Sequence, residues 1–353
     1  MLFSLSEKIL LAPYTTFGIG GPARYFATVT SEQELIEALE FAQEKISRIF
    51  VLGGGSNILV SDAGFDGLVI HNRIKGFEFI QDQNKTLISC GAGEGWDDLV
   101  SVAISKGLSG VELLSGIPGT VGAAPVQNIG AYGASVDSVF YELSAYDRES
   151  RNFKMFSKKD CQFDYRSSIF KRENDRYIIT HVTFCLSDEK PTTPLYHDLK
   201  EIFGENVSPS LAEIRDAVIH VRAQKGMVIL PGHVAYKSAG SFFQNPVVSK
   251  GKFEELKNIA ATQGEAWRCK SPWYWKISSE RVKVSAACLI QHARFSKGYR
   301  VGDVGLSERH TLAIVNYGNA TSNEVRDFTK SISDGVEKHF SVTLEPEVQY
   351  IGF

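Results

Sequence analysis

Of the 31 glycines in this 353-residue chain, 16 fall between positions 53 and 133. Glycine frees the backbone for left-handed turns and lets main chain approach a neighbour or a ligand where any Cβ would intrude. A segment so composed reads as loops held against something, because glycine weakens the interior of both helices and strands. Its extreme is residues 113–136, LLSGIPGTVGAAPVQNIGAYGASV: 24 residues without a charge, with five glycines and two prolines. That length would span a bilayer, but glycine and proline at this density break a lipid-exposed helix. The segment therefore reads as a loop that lines a ligand.

The remaining composition is that of a globular protein of two or three domains, 43% hydrophobic and 22% charged. With 38 Lys+Arg against 41 Asp+Glu, a net charge of −3 and no basic run, a general nucleic-acid binder is excluded. The apolar run at residues 9–12 follows Glu7 and Lys8 and is too short for a signal-peptide core, so no export is expected. Five widely spaced cysteines (Cys90, Cys161, Cys185, Cys269, Cys288) without a C-x-x-C predict neither a disulfide framework nor a structural zinc site. They fit a reducing cytoplasm. Eight scattered histidines, none paired as H-x-x-x-H, predict no metal.

Residues 23–30 predict a strand. Ser31 and Glu34 then form a capping box for a helix carrying Leu35, Leu39 and Ala42 on its apolar stripe. Strands follow at 48–52 and 68–71, then at 86–90, 141–147 and 177–186. Residues 96–106 predict a helix with Leu99, Val102 and Ala103 on one side. The proline-rich stretch 190–199 reads as an extended surface excursion. A second capping box, Ser210 with Glu213, opens a helix whose Leu211, Ile214, Val218 and Val221 repeat at helical spacing. Helices near 253–261, 284–293 and 323–340 and strands at 311–316 and 348–352 complete the chain. Boundaries near 73 and 225 divide it into 1–73, 74–225 and 226–353.

The usual nucleotide signatures are absent. Gly53 and Gly55 begin a G-x-G-x-x-G pattern that fails at Ile58, and Gly91 and Gly93 begin another that Trp96 ends. No P-loop, kinase or hydrolase pattern occurs. What remains is Gly53-Gly54-Gly55-Ser56-Asn57 directly after a strand, where successive N–H groups can form a nest for a diphosphate. A glycine-rich turn without a ligand is the other reading of that string. The second glycine-rich loop, residues 116–133, favours a large ligand lying along exposed backbone.

These strings carry a resemblance. TTFGIGGPARYF, VLGGGSNIL, SGIPGTVGAAPVQNIGAYG, FDYRSSIFK, SAGSFFQNP, LAIVNYGNAT and LEPEVQYIG occur in that order from about residue 14 to the C-terminus. Together they resemble the UDP-N-acetylenolpyruvoylglucosamine reductase family, flavoenzymes of bacterial cell-wall precursor synthesis. The resemblance implies an α+β fold: a two-subdomain FAD-binding unit of the vanillyl-alcohol-oxidase-like type plus a third domain that closes over substrate. It implies that Gly53, Gly54, Gly55, Ser56, Asn57 and Ile58 hold the FAD diphosphate. Pro118, Gly119, Thr120, Gly122, Ala123, Gln127, Asn128, Ile129 and Gly130 would run along the flavin and ribityl chain.

The implied reaction reduces an enol ether. NADPH reduces FAD and leaves, the UDP-sugar takes its place, and its terminal enolpyruvyl carbon receives a hydride. Charge then builds on the neighbouring carbon, where a stabiliser, an acid and a proton donor are needed. The resemblance assigns Ser241 as proton donor, Arg166 as enolate stabiliser and Glu347 as the acid near the substrate carboxylate. Read by itself, Ser241 is a strand start and Arg166 a surface guanidinium. Glu345, two positions from Glu347, shares its face on an extended strand, so only the family motif separates the two. Tyr196 in the proline-rich excursion implies the longer, loop-bearing subtype and covers the UDP end. Arg222 and Lys225 resemble a diphosphate-binding basic pair, although a solvated helix terminus would look the same. Asn245 and His310 occupy positions of polar substrate contacts. Gln349 stands where many relatives have Arg, and Cys288 where a larger aromatic is usual.

The reading is thus an FAD-dependent, NADPH-using reductase, cytoplasmic and monomeric, whose partners are a small-molecule UDP-sugar and NADPH, with no nucleic acid or membrane. Its rivals are another FAD-dependent oxidoreductase of the same fold, such as an alcohol oxidase, and a catalytically dead flavin- or UDP-sugar-binding module.

Overall fold

The computed structural model describes residues 3–45, 48–82, 85–189, 196–204, 208–229, 237–264, 267, 269 and 272–353. Its first sheet runs in the order Ser4–Leu10, Pro22–Val29, Phe65–Asn72, Ile49–Leu52. The outer pair is antiparallel and the other two pairings are parallel. Helix Glu32–Lys45 closes one face of this sheet. Its Leu35, Leu39 and Ala42 are buried against Ala27, Val29, Leu68 and Ile70, each large apolar side chain contributing about 2 kcal/mol. The edge strand Ser4–Leu10 lies where the sequence shows only a short apolar run. The helix cap is also shifted. Ser31 Oγ accepts from the Glu34 N–H at 3.2 Å, but the Glu34 carboxylate reaches back to the N–H and hydroxyl of Thr30 instead of Ser31.

The second sheet is wholly antiparallel, in the order Asn152–Ser157, Phe140–Asp147, Tyr177–Ser187, Lys85–Gly91, Phe77–Asp82. Helix Trp96–Ser105 packs near it through Trp96, Leu99, Val100 and Ala103. Val100, rather than Val102, completes the buried i, i+3, i+4, i+7 set because Trp96 fixes the helix face. Residues 113–136 are mostly turn and loop, with short 3-10 turns at Glu112–Leu114, Val121–Ala123 and Val136–Ser138 and two two-residue strands, Gly130–Ala131 and Ala134–Ser135. Among the described residues, no helix is long and apolar enough to cross a membrane.

The C-terminal part holds a sheet in the order Ser238–Ser241, Ala313–Asn316, Val304–Leu306, Arg300–Val301, and a small one formed by Val247–Ser249, Arg281–Val284 and Tyr274–Lys276. The amphipathic helix Ser322–Phe340, capped by Thr321 and Glu324, covers its core. Two segments cross between this part and the N-terminal one. Phe17 and Ile19 from the N-terminal motif are buried in this C-terminal core, and the last strand, Gln349–Ile351, pairs in parallel with Ile58–Val60.

Two expectations are corrected. Of the proline-rich excursion, residues 190–195 lie outside the described residues, but His197–Phe203 is a helix with Leu199 fully buried, not extended surface chain. Its apolar residues pack on helix Leu211–Gln224, whose Ser210–Glu213 capping box is present. Cys269 and Cys288, expected to be unpaired, are joined by a disulfide. Their separation of 19 residues in sequence hid the pairing; the fold brings their Cα atoms to 5.6 Å.

Candidate active site

The two glycine loops meet face to face. A Cβ on Gly54 would lie 2.7 Å from the Gly119 Cα, and one on Gly53 would lie 2.6 Å from the Thr120 Oγ1. Part of the glycine requirement is therefore loop-on-loop packing, with backbone lying on backbone before any ligand enters. Ser56 Oγ donates to the Pro118 carbonyl at 3.2 Å and ties the loops at this point.

Between them opens a cavity lined by the strand Ile49–Leu52, by residues 53–58, and by Pro118, Gly119, Thr120, Gly122, Ala123, Gln127 and Ile129. Its far end reaches Asn174, Asp175 and Tyr177. The N–H groups of Gly54, Gly55, Ser56 and Asn57 donate no hydrogen bond to any described protein group. Neither loop contributes a carboxylate to the cavity. A row of free amides between two uncharged loops suits a diphosphate with an aromatic, polar ring system attached, so the residues present fit FAD. Asn128 and Gly130 are not among the lining residues. Asn128 Oδ1 accepts from the Asp137 N–H at 3.1 Å and its Nδ2 donates to the Asp164 carbonyl at 3.3 Å, which anchors the loop.

Both of those residues turn their carbonyls to Arg166. Its Nη2 donates to the Gly130 carbonyl at 2.7 Å and its Nη1 to the Asn128 carbonyl at 3.4 Å. Its Nε lies 3.2 Å from Glu347 Oε1, buried, with no aligned hydrogen bond. Arg166 occupies the tip of a tight turn closed by mutual bonds between Asp164 and Ser167, with φ +53°. A non-glycine residue pays about 1 kcal/mol for that conformation. The guanidinium is thus no surface group. Asn57 extends the connection: its Nδ2 donates to Gln127 Oε1 at 3.0 Å and to the Glu347 carbonyl at 3.2 Å.

Ser241 ends the strand Ser238–Ser241. The carbonyl of the next residue, Phe242, accepts from the Glu347 N–H at 2.8 Å, so the serine and the glutamate sit on hydrogen-bonded neighbouring chains. The Ser241 hydroxyl makes no hydrogen bond to a described protein group. Thr16 fastens this strand to the first glycine loop, its N–H donating to the Gly55 carbonyl and its hydroxyl to the Ser238 carbonyl. The first sequence motif is therefore a clamp between cofactor loop and serine strand. Glu345 is exposed and only its backbone pairs, with the Gln244 N–H, whereas Glu347 is half-buried and ion-paired.

Three residues that sequence reasoning missed surround Arg166. Tyr165 is pushed up by burial and hydrogen-bonds to Asn245. Lys171 Nζ donates to the Arg166 carbonyl at 3.1 Å, and Lys283 Nζ stands 4.6 Å from the Tyr165 ring. Both lysines are pushed down by burial. Lys171 is only five positions after Arg166, but nothing local marks Lys283, 117 positions further on.

A second cavity is lined by Tyr196, Lys225 and His310. Tyr196 packs edge-on to Tyr132 at 5.3 Å, and Lys225 Nζ donates to Asp198 Oδ2 at 2.6 Å. Burial, helped by Lys225 and Lys297, pushes His310 down to about 4. Its Nδ1 accepts from the Leu312 N–H at 3.2 Å, which leaves the hydrogen on Nε2 of a neutral ring. The other two residues expected here do not line this cavity. Arg222 is half-buried, with Nε on the Gly116 carbonyl at 3.2 Å and Nη2 on the Met227 carbonyl at 2.9 Å, so it braces the second glycine loop. Asn245 Oδ1 accepts from the Ala286 N–H at 2.9 Å, and the residue also bonds Tyr165 on the Arg166 side.

Residues 232–351 match the family described as UDP-N-acetylenolpyruvoylglucosamine reductase, C-terminal domain, and residues 23–145 that described as FAD binding domain. The chain is 40% identical to the UDP-N-acetylenolpyruvoylglucosamine reductase of Thermobifida fusca, with 100% of this chain and 99% of that protein covered. It is also 40% identical to the enzyme of that name from Amoebophilus asiaticus, over 98% of this chain and 99% of the relative. Among solved structures, UDP-N-acetylenolpyruvylglucosamine reductase from Thermus caldophilus aligns with a TM-score of 0.67 at 28% identity, covering 99% of this chain and 100% of that one.

Proposed function

The chain belongs to the UDP-N-acetylenolpyruvoylglucosamine reductase family, and from that premise we propose that Arg166, Ser241 and Glu347 carry the chemistry of its reaction. The protein is an FAD-dependent oxidoreductase that uses NADPH to reduce the enolpyruvyl ether of UDP-N-acetylglucosamine to UDP-N-acetylmuramate in peptidoglycan precursor synthesis. An alcohol oxidase of the same flavin fold is set aside by the match of residues 232–351 to the reductase's own C-terminal domain.

When bound, FAD would supply the redox chemistry, passing the reducing equivalents of NADPH to the enolpyruvyl double bond. The free amides of residues 54–57 would hold its diphosphate, and Gly119, Thr120, Gly122, Ala123, Gln127 and Ile129 would line the rest of it. Arg166 places a permanent positive charge in a half-buried setting, where its attraction for charge building on the substrate is several-fold stronger than in water. The carbonyls of Asn128 and Gly130 fix the guanidinium before substrate arrives. Glu347 holds the Nε edge of the guanidinium and serves as the acid near the substrate carboxylate. The unpaired Ser241 hydroxyl gives its proton to the carbon beside that carboxylate, and solvent restores it as product leaves. Tyr196, Lys225 and neutral His310 hold the uridine diphosphate end, with Lys225 exchanging Asp198 for phosphate.

The observation that carries this assignment is the Arg166–Glu347 contact at 3.2 Å, on a chain hydrogen-bonded to that of Ser241. Membrane-impermeant, nucleotide-linked substrates support a cytoplasmic enzyme, and we read it as a monomer. The decisive test is anaerobic. Protein whose flavin has been bleached by NADPH and then freed of nucleotide should regain its yellow colour in one turnover when the enolpyruvyl UDP-sugar is added. A colourless mixture would sink the reading.

A further inference from the structure

Beside the second cavity is a cluster that the reductase chemistry does not use. The sulfurs of Cys269 and Cys288 and a ring nitrogen of His292 all lie within 4.8 Å of one another. Cys288 and His292 are four positions apart on helix Ala286–His292 and so share one of its faces. The His292 ring is stacked on Trp267, with centroids 4.1 Å apart and planes 9° from parallel. That stacking fixes its plane, yet its Nε2 is buried without a hydrogen-bond partner. A buried ring nitrogen with nothing to bond is costly unless something else occupies it.

We propose that Cys269, Cys288 and His292 form a site for one thiophilic cation of the Zn2+ type, open when the disulfide is reduced and closed when it forms. A dithiol reductant supplies two electrons and two protons. It is oxidised to its own disulfide as the Cys269–Cys288 bond breaks into two thiols. The cation then displaces both thiol protons and takes two thiolates and one imidazole nitrogen. Zinc places such ligands at about 2.3 Å (sulfur) and 2.0 Å (nitrogen), so donors already inside 4.8 Å need only small movements. Three protein ligands leave a fourth position. Both cysteines line the second cavity together with Ser285, Lys297 and His310, so that position faces the cavity. The disulfide and the metal compete for the same sulfurs, which makes occupancy a function of thiol redox state.

The full-length flavoprotein is the material for the test. Thiol titration in denaturant should count three free cysteines in the oxidised protein (Cys90, Cys161, Cys185) and all five after dithiol treatment. After anaerobic removal of the reductant, Co2+ should bind the reduced protein at one equivalent. Thiolate-type ligand-field bands should appear to the red of flavin absorption, and Zn2+ should abolish them. The oxidised protein should show none. Cys269→Ser and His292→Gln should each weaken Co2+ binding about 100-fold or more. Flavin retention and circular dichroism report whether each variant is folded. If Cys269→Ser does not fold, His292→Gln decides, because it leaves both sulfurs in place. The proposal is overturned if the reduced, folded protein gives no cobalt bands. It is equally overturned if the oxidised protein or the His292 variant binds as well as the reduced parent.

Discussion

The reaction rests on one ion pair and one unpaired hydroxyl. The Arg166 guanidinium is shared among two backbone carbonyls and Glu347, a forked arrangement that an ammonium group cannot reproduce. Arg166→Lys keeps the charge but not the fork, and turnover should fall by about two decades or more, while FAD content stays at one per chain. Ser241→Ala should lower turnover by a similar two or more decades, the loss typical of a missing general acid. Bleaching of the flavin by NADPH should proceed at the parent rate, because that half-reaction needs no proton for the sugar. Stopped-flow absorbance separates the two halves, and an equal loss in both would make Ser241 a structural residue. At this scale the local sequence was a poor guide. Arg166 sits among Lys171, Arg172 and Arg176 and reads as surface, yet its Nε is buried. Arg222 resembled half of a phosphate-binding pair, yet both its bonds go to backbone. Glu345 and Glu347 were separated only by the family motif, and the structure gives them different surroundings.

The glycine loops do not stand alone. Helix Trp96–Ser105 meets helix Leu211–Gln224 through a two-pronged pair, Arg215 Nη1 and Nη2 each 2.7 Å from a different oxygen of Asp97. Asp97 also accepts from the Gly116 N–H at 2.6 Å, and Arg222 from the second helix grips the Gly116 carbonyl. Burial alone would raise the Asp97 carboxyl, but Arg215 and the Gly116 N–H override it and hold it below its usual range. Asp97→Asn breaks the pair and leaves a half-buried guanidinium unmatched. It should cost about 3 kcal/mol and, because the loop start is freed, should also weaken FAD binding in a titration of apoprotein. Gly54→Ala tests the contact between the loops. Its Cβ would stand 2.7 Å from the Gly119 Cα, backbone that cannot rotate away. A loss of about 1–3 kcal/mol is expected in denaturant unfolding of the flavin-free protein, which shows that the glycine serves packing before it serves FAD. At this scale the sequence was legible where periodicity was strong. The capping box of helix Leu211–Gln224 and the long helix Ser322–Phe340 stand as read. It was not legible where burial contradicts local character, as in His197–Phe203, where a proline-rich approach gives way to a helix held by the buried Leu199.

Across the whole molecule, acid should weaken the fold through His310. Its ordinary value is 6.5 and the folded value about 4, so between these the unfolded chain binds a proton that the native protein refuses. Stability is therefore unaffected above about pH 6.5 and falls as pH drops toward 4, by up to about 3 kcal/mol. His310→Gln, which cannot titrate, should flatten the difference between unfolding midpoints measured at about pH 7 and about pH 5. The chain returns on itself to build the site. Thr16 joins the Gly55 loop to the Ser238 strand, and the last strand lies beside Ile58–Val60. By itself the sequence determined the secondary elements with strong periodicity, the glycine-rich loops, and the ordered motifs that imply a flavoenzyme, because propensity, capping and backbone freedom are properties of neighbours along the chain. Only the tertiary structure decided that Arg166 is buried against Glu347, that Lys283 joins them, that Arg222 braces a loop and that Cys269 meets Cys288. Burial and pairing depend on which surfaces meet in space, whether the partners are 19 residues apart, as Cys269 and Cys288 are, or 181, as Arg166 and Glu347 are, and no local pattern encodes that.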